Sequence, residues 1–176
     1  MILKAYKGHT PKIHPSVRVA ENATIVGNVT LEENVNIWYN VVIRAEADSI
    51  TIGAGTNVQD GVIIHCDEGM PTEVGKNVTI GHGAIVHSCT VGDNSMVGMG
   101  AILLSGCRVG EGAVVGGGAV VSGSTEVPDG TMAVGVPAKL GKPVSPSLRD
   151  YMAQDVEEYI ATAREELDTV DALTKE

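Results

Sequence analysis

Three of the five histidines, His65, His82 and His87, lie in one stretch, VIIHCDEGMPTEVGKNVTIGHGAIVHSC (62–89). Neutral imidazole is the commonest side-chain ligand for divalent transition metals. Three imidazoles with one coordination position left open are the signature of catalytic rather than structural zinc. Cobalt or iron accepts the same donors, and residue type alone does not choose among them. Glu68, three residues after His65, offers a carboxylate that could relay protons from such a centre. Cys66 is the weaker candidate ligand, because adjacent residues of a strand point to opposite sides. The three imidazoles are useful together only if the chain brings them into one place.

The spacing of the aliphatic residues says how it does so. Ile13, Val19, Ile25, Leu31, Ile37 and Ile43 recur every six residues, as do Val91, Val97, Leu103, Val109, Val115, Val121, Val127 and Ala133. Between these runs come Ile52, Val58 and Ile64, then Val74, Ile80 and Val86, with irregular steps at Ile43 to Ile52, Ile64 to Val74 and Val86 to Val91. Many anchors are followed at once by glycine, as at Gly53, Gly75, Gly81, Gly92, Gly98, Gly110 and Gly116. A repeat of aliphatic–Gly–four is the mark of a hexapeptide β-helix. Each hexad is a short strand and a corner, and three hexads close one triangular coil. A period of six rich in glycine and β-branched residues suits neither the spacing nor the propensities of an α-helix. The predicted fold is therefore a β-solenoid, a parallel β-helix with coils from about Ile13 to Ala138 and residues 1–12 as a lead-in.

Counting hexads in threes puts Ile43, Ile64 and Val86 on one face of successive coils. Their neighbours Arg44, His65 and His87 should then form one external column, each about 4.7–4.9 Å from the next. Asp60 and His82 form a second column, on the face before. Within one chain His82 and His87 diverge across a corner, so His82 would reach the His65–His87 pair from another chain. The spacing predicts a metal site between subunits, repeated three times in a cyclic trimer. The two irregular stretches nearest the histidines, Glu46–Ser49 and Asp67–Thr72, are expected to project as loops that line this site.

Composition agrees with such a fold. The 176 residues contain no Phe, one Trp and four Tyr, so stacked aliphatic ladders must replace an aromatic core. A net charge of −10 argues against nucleic acid and anionic membranes as partners. The N-terminus lacks a long apolar segment, and Cys66, Cys89 and Cys107 fit reduced thiols. These features lead us to expect a cytoplasmic chain. After GVPAKLGKPVSP (135–146), Ser145 is placed to cap a helix with Pro146 in its first turn. Leu148, Met152, Val156, Tyr159, Ala163, Leu167 and Val170 form one apolar helical stripe, and the end DALTKE is expected to fray. The division is residues 1–144 for the β-helix and 145–176 for a helix packed on it or on a neighbouring subunit.

The stretches NVVIRAEADSITIG (40–53), NVQDGVIIH (57–65), TIGHGAIVHSCTVGDNSMVGMGAILL (79–104) and GVPAK (135–139) resemble the γ-class carbonic anhydrases of the hexapeptide-repeat superfamily. The resemblance implies a left-handed β-helix and a homotrimer. It implies metal ligands His65 and His87 from one subunit and His82 from its neighbour, and it adds Arg44, Glu46, Gln59 and Asp60 as candidate catalytic residues. In that family the equivalent of Arg44 pairs across the interface with an acidic residue two positions on, which is Glu46 here. Gln59 would orient the nucleophile or substrate. The implied activity is reversible hydration of CO2 to bicarbonate by a metal-bound hydroxide, with Zn2+ as cofactor and Co2+ or Fe2+ as substitutes. Two alternatives remain open: a metal-dependent hydrolase such as a thioesterase, and a non-catalytic scaffold trimer.

Overall fold

A computed structural model describes residues 1–174. It is a β-solenoid of about seven turns followed by a short C-terminal helical segment. The anchors stack in register along three faces. Leu3, Ile25, Ile43, Ile64, Val86, Leu103 and Val121 form the first stack. Ile13, Leu31, Ile52, Val74, Val91, Val109 and Val127 form the second. Val19, Ile37, Val58, Ile80, Val97, Val115 and Ala133 form the third. From Val19 to Ala133 every anchor is buried, and together they make one continuous core. Aliphatic side chains that stack on their own kind once per coil fill a narrow prism without aromatic mass. The first two faces belong to one twelve-stranded sheet, because Thr24–Leu31 and Val42–Ile52 run unbroken around the corner between them.

Four details differ from the sequence reading. First, the solenoid begins before Ile13: Ile2–Lys4 pairs in parallel with the strand Thr24–Leu31, and Leu3 lies over Ile25. The step from Leu3 to Ile13 equals that from Ile64 to Val74, so a corner loop hid the first hexad. Both loops are closed by an antiparallel bridge, Tyr6 with His9 and Asp67 with Met70. Second, Glu46–Ser49 does not project as a loop. It lies inside Val42–Ile52, and its extra residues are absorbed as a register shift against Gly27–Val29. Third, the exit from the solenoid is itself a strand, Lys139–Pro143, which pairs antiparallel with Thr131–Val134. A returning strand covers the open edge that a solenoid otherwise leaves for other chains.

Fourth, the apolar stripe is not one helix. Helix α1 spans Pro146–Glu166 and stops at Leu167, which is extended (φ −107°, ψ 151°). Asp168–Thr169 then pairs antiparallel with Arg18–Val19. A short helix α2, Val170–Thr174, sets Val170 and Leu173 against the end of the core. Covering that apolar end outweighs another turn of α1. The expectation of fraying thus fails for 171–174, and 175–176 lie outside the described residues. Along α1, Ala163 packs with Ala20, Trp38 and Leu167, and Met152 packs with Val114 and Val144. Among the described residues no helix is long and apolar enough to cross a bilayer.

The start of α1 depends on Ser145, whose Oγ accepts a hydrogen bond from the Leu148 amide at 3.2 Å. Ser145→Ala is expected to cost about 1 kcal/mol, seen as a lower urea midpoint with unchanged slope.

Candidate metal centre

The column of outward residues is set by strand register. Arg44 pairs with His65, and His65 with His87, on three adjacent parallel strands. Their anchors Ile43, Ile64 and Val86 are locked in the core, so the outward neighbours have no freedom to slip. His65 Nδ1 lies 2.9 Å from His87 Nε2, and the ring centroids are 4.9 Å apart. His65 Nε2 lies 2.9 Å from Glu46 Oε1, which also takes the Arg44 guanidinium. The Arg44–Glu46 pair therefore closes within one chain. The second Glu46 oxygen, Oε2, is buried with no partner among the described residues.

The far side of His87 is held as firmly. Its Nδ1 lies 3.0 Å from Ser105 Oγ and 3.6 Å from Asp67 Oδ2, and Ser105 donates to Asp67 Oδ2 at 2.9 Å. The Asp67 amide donates to Ser88 Oγ at 2.7 Å, which fixes the corner loop. His65, Asp67 and His87 each offer a ligand atom, all within 4.8 Å of one another. Asp67, not Glu68, is thus the loop carboxylate at the site, and Glu68 is exposed on the turn. The signal for it was present: Ser88 and Ser105 both sit two residues past an anchor, and Asp67 opens the loop at that corner. Cys66 points into the core and is fully buried.

The electrostatics suit a ligand set. Burial, and then the Arg44 charge, hold the His65 pKa below its ordinary value against an opposing pull from Asp67. A lowered imidazole pKa keeps the ring neutral at neutral pH, the form that ligates. The Ser105 hydrogen bond holds the Asp67 carboxyl below the usual range, with His87 adding to the effect, so it is ionised. Two imidazoles with converging nitrogens and an ionised carboxylate form a donor set that fits zinc, cobalt or iron.

His82 stands apart from this group. Its Nδ1 lies 2.8 Å from Asp60 Oδ2, and its backbone amide donates to Gln59 Oε1 at 3.2 Å. Gln59 is buried, and its Nε2 donates to Asn57 Oδ1 at 3.1 Å. Asn57 Nδ2 donates to Thr79 Oγ1, and Thr79 Oγ1 to Asp155 Oδ2 of α1, at 2.9 and 2.8 Å. Gln59 thus braces the corner that carries His82 and ties it to the helix. Asp60 Oδ1 accepts the Tyr39 amide at 3.3 Å.

Next to the histidine column runs a second outward column, Val42, Ile63, Ile85, Ile102 and Val120, apolar throughout. Ile63 is 44% exposed, and Met99, one coil on from His82, is 64% exposed. Among the described residues, no element of the chain fully covers either.

A bacterial transferase hexapeptide (six repeats) model matches residues 10–45, 71–103 and 88–123. A carbonic anhydrase of Geobacillus kaustophilus is 42% identical over 160 residues, covering 91% of this chain and 84% of that one. The mitochondrial gamma carbonic anhydrase 2 of Arabidopsis thaliana is 37% identical over 161 residues, covering 88% of this chain and 58% of that one. The crystal structure of a hexapeptide transferase family protein from Anaplasma phagocytophilum superimposes with a TM-score of 0.91 at 36% identity, covering 94% of this chain and 98% of that one. The chain spans about three-fifths of the length of several curated relatives it matches. Coil, column and corner define a hexapeptide-repeat solenoid with a surface histidine cluster. The chain belongs to the γ-class carbonic anhydrase family of hexapeptide-repeat proteins.

Proposed function

We propose that the chain is one subunit of a metal-dependent homotrimer that hydrates CO2 reversibly to bicarbonate. The observation that carries this reading is the His65–His87 pair, with nitrogens 2.9 Å apart on adjacent coils, while His82 is turned away from them. In the assembly, His82 of a neighbouring subunit completes the set. The apolar column beside the histidines, half-buried along its length and exposed at Ile63, is the surface on which that neighbour packs, since burying it there removes apolar area from water. Carbonic anhydrases among the relatives, from Geobacillus and Arabidopsis, support the same activity.

Zinc, or cobalt or iron in its place, would be held by His65 and His87 with His82 of the next subunit. A bound divalent ion of this kind lowers the pKa of a water it carries and so supplies a nucleophile near neutral pH. The remaining roles belong to the chain. Ser105 and Asp67 hold the His87 ring in the orientation that turns Nε2 toward His65 Nδ1. Arg44 and Glu46 fix His65 from the opposite side, and Gln59 and Asp60 fix His82. The orphaned Glu46 Oε2 is an acceptor at the edge of the centre, placed to take a proton or hold a substrate-side donor. Stopped-flow CO2 hydration by zinc-, cobalt- and iron-loaded protein tests the reading, and inactivity with all three would overturn it.

Asp67→Asn separates bracing from mere proximity. It keeps the shape but loses the charge that Ser105 and His87 face, and it is expected to weaken metal binding about 10–100-fold in competition with a chelator. Wild-type affinity would remove Asp67 from the site.

The transferase family name of the Anaplasma structure favours a second reading, acyl transfer or thioester chemistry. Thioester turnover by the metal-loaded protein, together with no CO2 hydration, would install that reading in place of the first.

A further inference from the structure

A hollow of about 320 Å³ lies between α1 and the corner below it, lined by Trp38, Asp60, Glu158, Tyr159, Thr162 and Glu166. The chain has one Trp, four Tyr and no Phe, so aromatic rings are scarce. Two of them line the hollow, and a third, Tyr39, lies beside Trp38. The Trp38 and Tyr159 ring centroids are 5.4 Å apart with planes at 89°, and Tyr39 lies 6.5 Å from Trp38. The two rings pack edge to face, and both border the hollow.

Three carboxylates line the hollow beside the rings, and no Lys or Arg among the described residues does so. Among the described residues, Asp60, Glu158 and Glu166 form no ion pair with Lys or Arg. Their partners are His82 for Asp60, the Gln154 amide for Glu158 at 2.6 Å, and the Tyr39 hydroxyl for Glu166 at 3.3 Å. The negative field registers on the phenols. Burial first, then Glu166, raises the Tyr39 pKa, and burial first, then Asp155 and Asp60, raises that of Tyr159.

We propose that this hollow binds the methylated ammonium head of a small organic cation. A metal ion or a bare ammonium needs close oxygen ligands to replace its water. Here the carboxylates stand apart around a ring-walled space, and each already accepts a hydrogen bond or ion-pair contact. A trimethylammonium group spreads its charge over methyl groups, needs no hydrogen bonds, and is drawn to aromatic walls and to the negative field together. The volume falls at the small end of ligand pockets and suits a head group with a short tail. Asp60 links the hollow directly to His82, so an occupant would sit one side chain from the imidazole proposed to complete a neighbouring subunit's centre. Binding itself requires no metal, and its test is independent of the proposed catalysis.

Trp38 is the sole tryptophan, so its emission reports on the hollow. The metal-free 176-residue chain would be titrated at constant ionic strength with choline and with 3,3-dimethylbutan-1-ol, the uncharged carbon isostere of choline. Choline is expected to saturate with a dissociation constant on the order of 1 mM, with the isostere at least about tenfold weaker. The Glu158→Gln/Glu166→Gln double variant is expected to weaken choline at least about tenfold, with its circular dichroism unchanged. An equal response to the isostere, a choline response that never saturates, or full affinity in the folded double variant would each overturn the proposal. The isostere comparison uses wild-type protein and stands whether or not the double variant folds.

Discussion

Trimers reassembled from equal amounts of His82→Ala and His87→Ala chains are expected to regain about a quarter of wild-type CO2 hydration, although each variant alone falls at least about 100-fold. The expectation follows from the geometry of sharing. In a cyclic trimer each centre would take His65 and His87 from one chain and His82 from the next. A His82→Ala chain still presents an intact His65–His87 pair, and a His87→Ala chain still presents an intact His82. On random mixing, a centre is whole when the first kind precedes the second, which happens at about one interface in four. A site confined to one chain would regain nothing, because no chain in the mixture carries all three residues. The measurement is stopped-flow hydration before and after denaturation and refolding of the mixture. Metal content per trimer gives a second readout that does not depend on turnover. Recovery of metal without activity would place the fault in the chemistry, and recovery of neither would sink the shared centre.

Much of this was legible because a solenoid converts sequence distance into spatial distance almost without ambiguity. Once the anchors are in phase, Arg44, His65 and His87 must share a column, and their strands pair as that phase requires. Legibility failed where phase is lost. Leu3 was missed because its hexad is separated from the next by a corner loop, and a period cannot be counted across an insertion of unknown length. Glu46–Ser49 was misread as a loop because extra residues can be absorbed as a bulge as readily as they can project. Asp67 was overlooked for Glu68 because the direction of a loop side chain is set by its hydrogen bonds, here to Ser88 and Ser105, and not by periodicity. The break in the C-terminal stripe was invisible for another reason. Leu167 and Val170 continue a helical pattern, and only the exposed end of the solenoid makes a strand and a second short helix the better way to bury them.

Glycines that look alike in the repeat should respond very differently to a single methyl group. Gly98 follows the anchor Val97, and a Cβ there would lie 2.5 Å from the Gly117 amide nitrogen, 2.8 Å from the Gly116 carbonyl carbon and 2.8 Å from the Val115 oxygen. All three atoms are backbone of the next coil, which is itself hydrogen-bonded on both sides and cannot give way. Gly118 has the opposite problem: its φ is +65°, but a Cβ would meet nothing within 4 Å. Gly98→Ala is therefore expected to cost about 3 kcal/mol or more by forcing two coils apart. Gly118→Ala should cost only the left-handed backbone strain, about 1–2 kcal/mol. Gly118→Asn should recover most of that loss, since Asn40 occupies the same corner earlier in the solenoid at φ 59°. Urea midpoints of the three variants give the order. If Gly98→Ala matched Gly118→Ala, the coils would not be in the close contact that positions His65 over His87, and the distance between those two rings would lose its physical basis.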